Sequence, residues 1–254
     1  MTIHKDMECH RLEKRLNDRF LRAMATFHLI EDNDRILVGL SGGKDSLLLT
    51  EILARRAQIH HPCFSVEAVH VRMENIHYET DTSYLQRFCD SLGIPLHIVT
   101  TRFETGKGKD GTLDERKQKS PCFLCSWMRR KQLFNLAQTL GCNKIALGHH
   151  QDDLIHTALM NLFFQGRFDT MSARLKMRKM PITIIRPLCL MSEDDIAHYA
   201  EARHYEKQKK LCPYENDSHR TDVRQLYMAI RQVSPEARQS IWRAIESAGK
   251  LIEE

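Results

Sequence analysis

The stretch RILVGLSGGKDSLLLTEILARR, residues 35–56, joins an apolar run, a glycine turn and an amphipathic segment. The run RILVGL predicts a short buried strand, and DSLLLTEILARR predicts a helix. Between them, SGGKDS has two adjacent glycines, which let the backbone turn tightly and point several N–H groups at one place. A glycine turn that leaves a strand and opens a helix is typical of a phosphate-binding loop.

The alternation of strands and helices continues outward from this stretch. Strands are predicted at residues 64–71, 96–100, 144–147 and 182–186, and helices at residues 78–92, 122–140, 152–164 and 192–203. Ser192 is the expected N-cap of the last helix. The pattern predicts an α/β fold, a doubly wound parallel sheet with helices on both faces. Ligands of such folds bind beyond the strand carboxyl ends, where the strand order changes direction.

Both ends of the chain carry further helical patterns. Residues 9–30 repeat apolar side chains every three or four positions, and residues 221–233 and 235–252 predict two more helices. We therefore expect an N-terminal amphipathic helix in residues 1–31, an α/β domain in residues 32–218 and added C-terminal helices in residues 219–254.

Composition bounds the class of protein. Of 254 residues, 42% are hydrophobic and 28% charged, which is ordinary for a folded enzyme. No apolar run approaches the roughly 20 residues that span a bilayer, and residues 1–15 lack the apolar core of a secretory signal. We expect a cytoplasmic protein with no membrane partner. The net charge of +5 suits a polyanionic partner but equally a mildly basic surface.

Within SGGKDS, each side chain suggests a role. The hydroxyls of Ser41 and Ser46 can bond phosphate oxygens, Lys44 offers a point charge, and Asp45 can hold Mg²⁺. Asp follows the lysine, so this is not the Walker A pattern, which requires Ser or Thr there.

A second segment, GHHQDD at residues 148–153, follows a predicted strand on the same sheet edge. Asp152 and Asp153 open the next helix and can bind Mg²⁺ or orient a substrate, and the sequence does not choose between them. A zinc site made by His149, His150 and an aspartate is the competing interpretation. It is disfavoured because adjacent residues at a strand end point in opposite directions.

Three of the eight cysteines form a candidate centre. Cys122 and Cys125 make a C-x-x-C at a helix start, and Cys212 follows far downstream. Three thiolates leave one ligand position open, which suits catalysis or a [4Fe–4S] cluster with one free iron. A thioredoxin-like redox pair and a zinc site completed by His219 remain open. The other cysteines are expected to be packing residues: Cys9, Cys63, Cys89, Cys142 and Cys189.

With these motifs in order, the chain resembles the tRNA 2-thiocytidine synthetase family (tRNA-cytidine 2-sulfurtransferases) of PP-loop ATP pyrophosphatases. SGGKDS is similar to the PP-loop, which is shaped for a leaving pyrophosphate. The resemblance runs from about residue 12 to residue 226. It is carried by EKRL at 13–16, VGLSGGKDS at 38–46, CFLC at 122–125, RR at 129–130, KIALGHHQDD at 144–153 and IRPL at 185–188.

The resemblance implies a fold like that of the adenine-nucleotide α-hydrolases and an enzyme, a tRNA sulfurtransferase that forms AMP and pyrophosphate. It implies ATP, Mg²⁺ and a [4Fe–4S] cluster held by Cys122, Cys125 and Cys212. The implied substrate is a cytidine of the tRNA anticodon loop, thiolated at C2. The implied partners are tRNA and a sulfur donor such as a cysteine desulfurase, with a homodimer left open.

One segment departs from the family. Around Cys212, KKLCPYENDSHRTDVRQL is more similar to related thiolases that act on uridine, although those also carry zinc fingers at both ends. A uridine thiolase is therefore one alternative. Others are a PP-loop tRNA-modifying ligase without sulfur transfer, in which the cysteines bind zinc, and a non-catalytic nucleotide- and RNA-binding redox sensor.

A mechanism follows as a hypothesis. The base oxygen attacks the α-phosphate of ATP, and sulfide on the free iron then replaces the adenylated oxygen. The expected catalytic residues are Lys44, Asp45, Cys122, Cys125, Cys212, Asp152 and Asp153. The expected ATP-binding residues are Ser41, Gly42, Gly43, Lys44, Asp45, Ser46, His70, Gly148 and His149. RNA phosphates are expected to contact Lys107, Lys109, Lys117, Arg129, Arg130, Arg174, Lys176 and Arg178.

Overall fold

The structure is a computed structural model that describes residues 2–74, 81–102, 121–206 and 219–254. Side chains are described from Cys9 onward within these ranges, except those of Pro121, His219 and Arg220. Its helices are α1 (Thr2–Phe27), α2 (Lys44–Ala57), α3 (Thr82–Leu92), α4 (Pro121–Leu140), α5 (Gln151–Gln165), α6 (Glu193–Ala202), α7 (His219–Val233) and α8 (Ala237–Ser247). Its strands are β1 (Asp34–Gly39), β2 (Phe64–Met73), β3 (Leu96–Thr101), β4 (Lys144–Ala146), β5 (Arg174–Lys176), β6 (Thr183–Ile185) and β7 (Ile252–Glu253).

The strands form one sheet in the order β3-β2-β1-β4-β6-β5-β7. Strands β1, β2, β3, β4 and β6 are parallel, and β5 pairs with β6 antiparallel. The predicted α/β fold with a parallel sheet is confirmed. From β1 the chain builds outward to β2 and β3 on one side and later to β4 and β6 on the other. The loops after β1 and β4 therefore lie side by side at the change of strand order.

Strand β1 shows why an apolar run forms the centre of this sheet. Ile36 and Val38 are buried in the large core, which is packed by α1, α2, α5, α6, α7 and α8. Leu37, between them, is buried on the opposite face in a cluster that includes Ala137 of α4. Alternate side chains thus enter opposite layers, as expected for a strand buried on both faces.

Three details differ from the sequence predictions. Helix α1 ends at Phe27 because His28 adopts a left-handed backbone with φ of 49°. The predicted helix over residues 235–252 ends at Ser247, and its last residues form β7 beside β5. Strands β5 and β7 were not predicted, because two or three residues are too short to show a periodicity. The expected cap is confirmed, since the Ser192 hydroxyl accepts a hydrogen bond from Asp195 N at 3.1 Å.

No helix in the described part of the chain combines the length and the apolar character needed to cross a membrane. The terminal helices α1, α7 and α8 contribute to the same core as the central sheet. The division into three regions stays a prediction.

Candidate active site at the carboxyl edge of the sheet

The glycine turn after β1 is held in shape by its own hydrogen bonds. Gly42 has φ of 84°, a conformation that side chains other than glycine rarely adopt. The Ser46 hydroxyl donates to Gly43 O at 2.9 Å and accepts from Ser41 N at 3.1 Å. Ser41 Oγ donates to the same hydroxyl at 3.1 Å. The loop is therefore preformed, and Ser46 serves its internal structure, while direct phosphate contacts by either hydroxyl stay a prediction.

The predicted phosphate ligand Lys44 lies between two carboxylates. Its Nζ is 3.1 Å from Asp45 Oδ1 and 3.4 Å from Glu193 Oε1, at the start of α6. Burial lowers the pKa of Lys44, but the two carboxylates outweigh it and the pKa is raised overall. Burial raises the pKa of Glu193, but the positive charges of Lys44 and Arg224 outweigh burial, and this pKa is lowered overall. Lys44 is therefore positively charged, and its ammonium group is already paired with the Glu193 carboxylate.

Asp45 retains an oxygen suited to a metal ion. Its Oδ1 atom is buried and accepts no hydrogen bond from the described residues, although the Lys44 ammonium lies nearby. A buried carboxylate oxygen normally has a hydrogen-bond partner. Mg²⁺ binds such oxygens and keeps several waters as further ligands. Asp45 therefore fits the predicted magnesium site.

The loop after β4 closes against the glycine turn. A Cβ atom built on Gly148 would lie 3.1 Å from both Asp45 C and Ser46 N, which are backbone atoms. Only glycine allows this approach without moving one of the loops. The prediction that the two motifs meet at one sheet edge is confirmed.

The two histidines of this loop diverge. His150 is 4% exposed, and its Nε2 lies 3.9 Å from Asp45 Oδ1 and 3.5 Å from Asp153 Oδ2. His149 Nδ1 instead accepts a hydrogen bond from Arg186 Nε at 3.3 Å. Within the described ranges, no group of three His, Cys, Asp or Glu side chains is arranged to hold a metal ion. The zinc site considered for these histidines is therefore not formed here.

The paired aspartates have different surroundings. Asp152 is buried and accepts hydrogen bonds from Glu193 N at 2.8 Å and from Arg238 of α8. It thus ties three helices together. Asp153 Oδ2 accepts from His150 N at 3.0 Å, and its side chain is 37% exposed. Geometry therefore favours Asp153 over Asp152 for contact with a substrate.

A small apolar cavity of about 160 Å³ lies at the ends of β1 and β2. Its lining residues include Leu40, Val69, His70, Val71 and Leu133. His70 Nδ1 is 2.8 Å from Leu40 O, and burial lowers the pKa of this histidine. The neutral ring donates from Nδ1 to that carbonyl, so Nε2 keeps a lone pair. Nε2 is buried without a hydrogen-bond partner among the described residues. The lining also includes Ser41 and Arg129. Mostly apolar walls with the His70 acceptor fit an adenine and its amino group.

The first turn of α4 holds two of the three predicted cluster ligands. Cys122 is exposed, and Cys125 is half-buried beside Met73, Leu124 and Met128. Two thiols three positions apart lie on one side of a helix and suit a shared metal or cluster. Cys212 and the side chain of His219 lie outside the described residues. The meeting of the three cysteines therefore stays a prediction.

The remaining cysteines separate into two groups. Cys89, Cys142 and Cys189 are buried, and burial raises the pKa of Cys89 and of Cys189 to about 12. These thiols are packing residues, as predicted. Cys9 is half-buried. Cys63 is exposed, contrary to the prediction, because it lies in the turn that leads into β2.

Among the described members of the predicted RNA-binding set, only some lie near the site. Arg129 and Arg130 are on α4 with the cysteines. Arg174 of β5 pairs with Glu254 at 2.7 Å, and Lys176 lies opposite Thr183, the first residue of β6. Because β5 runs antiparallel to β6, the chain leads Lys176 and Arg178 away from the carboxyl edge. Lys107, Lys109 and Lys117 lie outside the described residues.

Two positively charged surfaces were missed by the sequence analysis. One face of α1 carries basic side chains at helical spacing, with the single acidic residue Asp18 among them. We call it the α1 basic face: Arg11, Lys14, Arg15, Arg19 and Arg22. Arg15 and Arg19 both pair with Asp195, in the same turn of α6 as Glu193. The second surface is Trp127 of α4, 48% exposed, with Lys131 Nζ 5.5 Å from its ring centroid. The four-residue arginine spacing on α1 was a readable signal.

Three contacts link α7 and α8 to the site, and no local pattern in the sequence indicates them. Arg224 of α7 pairs with Glu193 at 2.9 Å, Arg238 Nε donates to Gln151 Oε1 at 2.9 Å, and Arg238 also pairs with Asp152. All three join segments that are far apart in sequence.

Comparison with known proteins gives a consistent family. The model of a PP-loop domain matches residues 12–236. A tRNA-cytidine(32) 2-sulfurtransferase of Pelobacter propionicus is 37% identical over 244 residues, covering 93% of this chain and 86% of that protein. One from Neisseria meningitidis is 37% identical over 204 residues, and the chain spans 62% of its length. The U34-tRNA thiolase NcsA from Methanococcus maripaludis, solved with its [4Fe-4S] cluster, superposes with a TM-score of 0.74 at 27% identity, covering 94% of this chain and 79% of that one.

Proposed function

We propose that this chain, which belongs to the PP-loop family of tRNA-cytidine 2-sulfurtransferases, uses ATP to replace O2 of a tRNA cytidine with sulfur. The products are thiolated tRNA, AMP and pyrophosphate. The observation that carries the proposal is a preformed phosphate turn next to both the mostly apolar cavity of about 160 Å³ and Asp153. The target is assigned to the anticodon loop, where a base is accessible without opening a duplex.

Activation of the base uses the glycine turn. Cytidine O2 attacks the α-phosphate, the bond to the bridging oxygen breaks, and pyrophosphate leaves against Lys44 and the backbone N–H groups. Asp45 would hold Mg²⁺, which spreads the charge of the leaving group. Displacement of Glu193 from Lys44 must accompany phosphate binding, because both carry negative charge and use the same ammonium group.

The cytosine ring gains positive charge in this step, because its N3 has no proton to lose. A carboxylate near the ring stabilises that charge. Asp153 is the described candidate, since Asp152 is engaged by Glu193 N and Arg238. This assigns Asp153 an electrostatic role and Asp152 a positioning role.

Sulfur transfer belongs to the start of α4. Cys122 and Cys125, with Cys212, would hold a [4Fe–4S] cluster, whose chemistry when bound is to present sulfide to the activated carbon. A C2–S bond then forms, the C2–O bond breaks, and AMP carries the oxygen away. Each turnover consumes one sulfide, which must be supplied as sulfide itself or by a sulfane-sulfur donor such as a cysteine desulfurase together with a two-electron reductant. We assign the reaction to the cytoplasm, and a homodimer stays a prediction.

The tRNA would be gripped by the α1 basic face and by the surface of α4. Exposed Arg11 and Arg22 suit phosphate contacts, and Trp127 suits stacking on an unpaired base. Arg15 and Arg19 connect the α1 basic face to α6, whose Glu193 touches Lys44. These contacts connect the proposed RNA-binding surface of α1 to the phosphate turn.

The proposal is tested with anaerobically prepared protein, ATP, Mg²⁺, unmodified tRNA and inorganic sulfide as the sulfur source. We expect AMP, pyrophosphate and 2-thiocytidine by mass spectrometry of the digested tRNA. ADP as the sole nucleotide product would contradict the reaction class. Thiouridine would establish the uridine alternative, which the likeness to the U34 thiolase keeps relevant. Stoichiometric zinc without iron, and AMP without thiolation, would establish a ligase.

A further inference from the structure

A second cavity, of about 310 Å³, opens beside the phosphate turn between α5 and α7. We call it the α5–α7 cavity, and its lining residues include His149, Asp153, His156, Met160, Met171 and Arg224. Its volume is at the lower end of pockets that hold small organic ligands. It touches the proposed nucleotide site through Asp153, which lies 3.5 Å from His150, while His150 lies 3.9 Å from Asp45.

His156 forms a fixed polar feature in this cavity. It lies three residues beyond Asp153 on α5, about 4.5 Å farther along the helix and on the same side. Its ring packs edge-on against Tyr227, with centroids 5.1 Å apart. Within the described ranges its Nε2 atom is buried and has no hydrogen-bond partner. Such a buried atom is normally completed by a water, an ion or a ligand, and the open cavity beside this one has room for a ligand.

The charge state of the His156 ring suits a neutral ligand. Burial lowers the pKa of His156, and the carboxylates of Asp152 and Asp153 raise it. The positive charges of Arg224 and His150 lower this pKa as well. The net pKa is lowered, so the ring is neutral near pH 7. A neutral imidazole offers one lone pair and one N–H group.

We propose that the α5–α7 cavity binds the target cytosine, with its N4 amino group donating a hydrogen bond to Nε2 of His156. The base would lie with O2 toward the phosphate turn and N4 along α5, a span comparable to the separation of Asp153 and His156. Met160 and Met171 would contact the ring faces, since thioethers pack adaptably against aromatic groups. Arg224, at the exposed rim, would contact a backbone phosphate.

This arrangement distinguishes cytosine from uracil. Cytosine presents an amino donor at position 4, whereas uracil presents a carbonyl acceptor. Selection requires the tautomer with the proton on Nδ1: uracil O4 facing the lone pair of Nε2 then leaves both atoms unpaired, which is strongly disfavoured. The Nε2–H tautomer would instead donate to uracil O4, so the protonation of Nε2 decides the assignment. His156 is therefore assigned as the residue that selects cytidine within the proposed function, on which this inference rests.

The test compares His156→Phe, which keeps the ring and removes the acceptor, with His156→Gln, which restores an acceptor. His198→Phe, at an exposed position of α6, is the matched control. Anticodon stem-loops with C or U at the target position are used, and tRNA-dependent AMP release and stem-loop binding are measured. Thermal melting of each variant verifies folding, and ¹⁵N NMR of His156 reports whether Nε2 carries a proton.

We expect His156→Phe to reduce the preference for C over U by roughly tenfold to a hundredfold, the range for one good base contact. His156→Gln should recover most of the preference, ATP binding should be unchanged, and His198→Phe should match the wild type. An unchanged preference in His156→Phe, or a protonated Nε2, overturns the cavity assignment. Absence of tRNA-dependent AMP from the wild-type protein would instead overturn the proposed function, so the two failures are distinguishable.

Discussion

The glycine turn at residues 41–46 and the first turn of α4 both offer ligand-binding groups, but they are built differently. The glycine turn is closed by hydrogen bonds among its own residues and is packed against Gly148. The first turn of α4 leaves Cys122 exposed, and its proposed third ligand, Cys212, is remote in sequence. Phosphate binding is thus encoded locally, whereas the sulfur centre depends on assembly of distant segments. Variants that separate base activation from sulfur transfer test this difference.

The largest expected effect is from Cys122→Ser. We expect 2-thiocytidine to fall below detection and bound iron to be lost, because serine is a poor ligand for a cluster. AMP release with tRNA should keep its wild-type order of magnitude, since the glycine turn is intact. Nucleoside mass spectrometry, iron analysis and AMP assays measure the three quantities. Cys63→Ser, at another exposed cysteine, is the control. Parallel loss of AMP release would show that the two regions are not separable.

Lys44→Met tests the other region. We expect AMP release and thiolation to fall together by about 10²–10³-fold, the typical cost of removing one charge-stabilising group. Iron content should not change. Lys250→Met is the control, because the Lys250 ammonium forms a long pair with Asp169, at 3.9 Å, outside the site. Wild-type AMP release in Lys44→Met would remove this lysine from the chemistry.

Gly148→Ala tests how closely the loops must approach. The added methyl group would meet backbone atoms 3.1 Å away, so the glycine turn must shift. Small displacements of reacting groups cost up to about 10²-fold in rate, and we expect a loss of this order in kcat for AMP release. Gly249→Ala has open space around it but a positive φ of 65°, so it should lower thermal stability and leave kcat unchanged. Equal kcat in both variants would contradict the close-approach argument.

The smallest expected effect concerns RNA binding, which should serve both regions equally. Arg11→Ala and Arg22→Ala should each weaken tRNA affinity by about 1.4- to fivefold, since an exposed ion pair contributes about 0.2–1 kcal/mol. Each loss should also reduce the salt dependence of binding by about one counterion. Binding titrations at several salt concentrations measure both. Lys176→Ala is the contrast, because Lys176 lies toward the other edge of the sheet. A larger loss from Lys176→Ala would reverse the assignment.

The sequence predicted best what is determined locally. Strand β1 and helix α2 fall within one residue of their predicted bounds, because burial on two faces and a glycine turn leave a strong pattern. The meeting of Gly148 with Asp45 followed from the rule that parallel strands end at one edge. Strands β5 and β7 were missed, since they exist only through pairing with each other and with β6.

The site was less completely predicted for a related reason. Lys44 and Asp45 were identified by the turn that contains them, but Glu193, Arg224 and Arg238 reach the site from helices with no distinguishing pattern. Likewise, Arg174 and Lys176 of β5 were included in the RNA-binding set because basic residues cluster in that stretch of the sequence. Such clustering does not report the direction of an antiparallel strand, and RNA contacts by these residues stay a prediction.

The acidic first turn of α6 determines where the protein loses stability first in acid. Glu193, Asp194 and Asp195 each pair with cations from other elements, so one short turn fastens α1, α2 and α7. Burial raises the pKa of Glu193 and of Asp195, but their hydrogen bonds and cationic partners lower both below their ordinary values. Their stabilising contribution is thus full at neutral pH and disappears as the pH falls through those lowered values. Acidification should release α1, α2 and α7 from the first turn of α6 together. The phosphate turn should then become exposed before the central sheet unfolds.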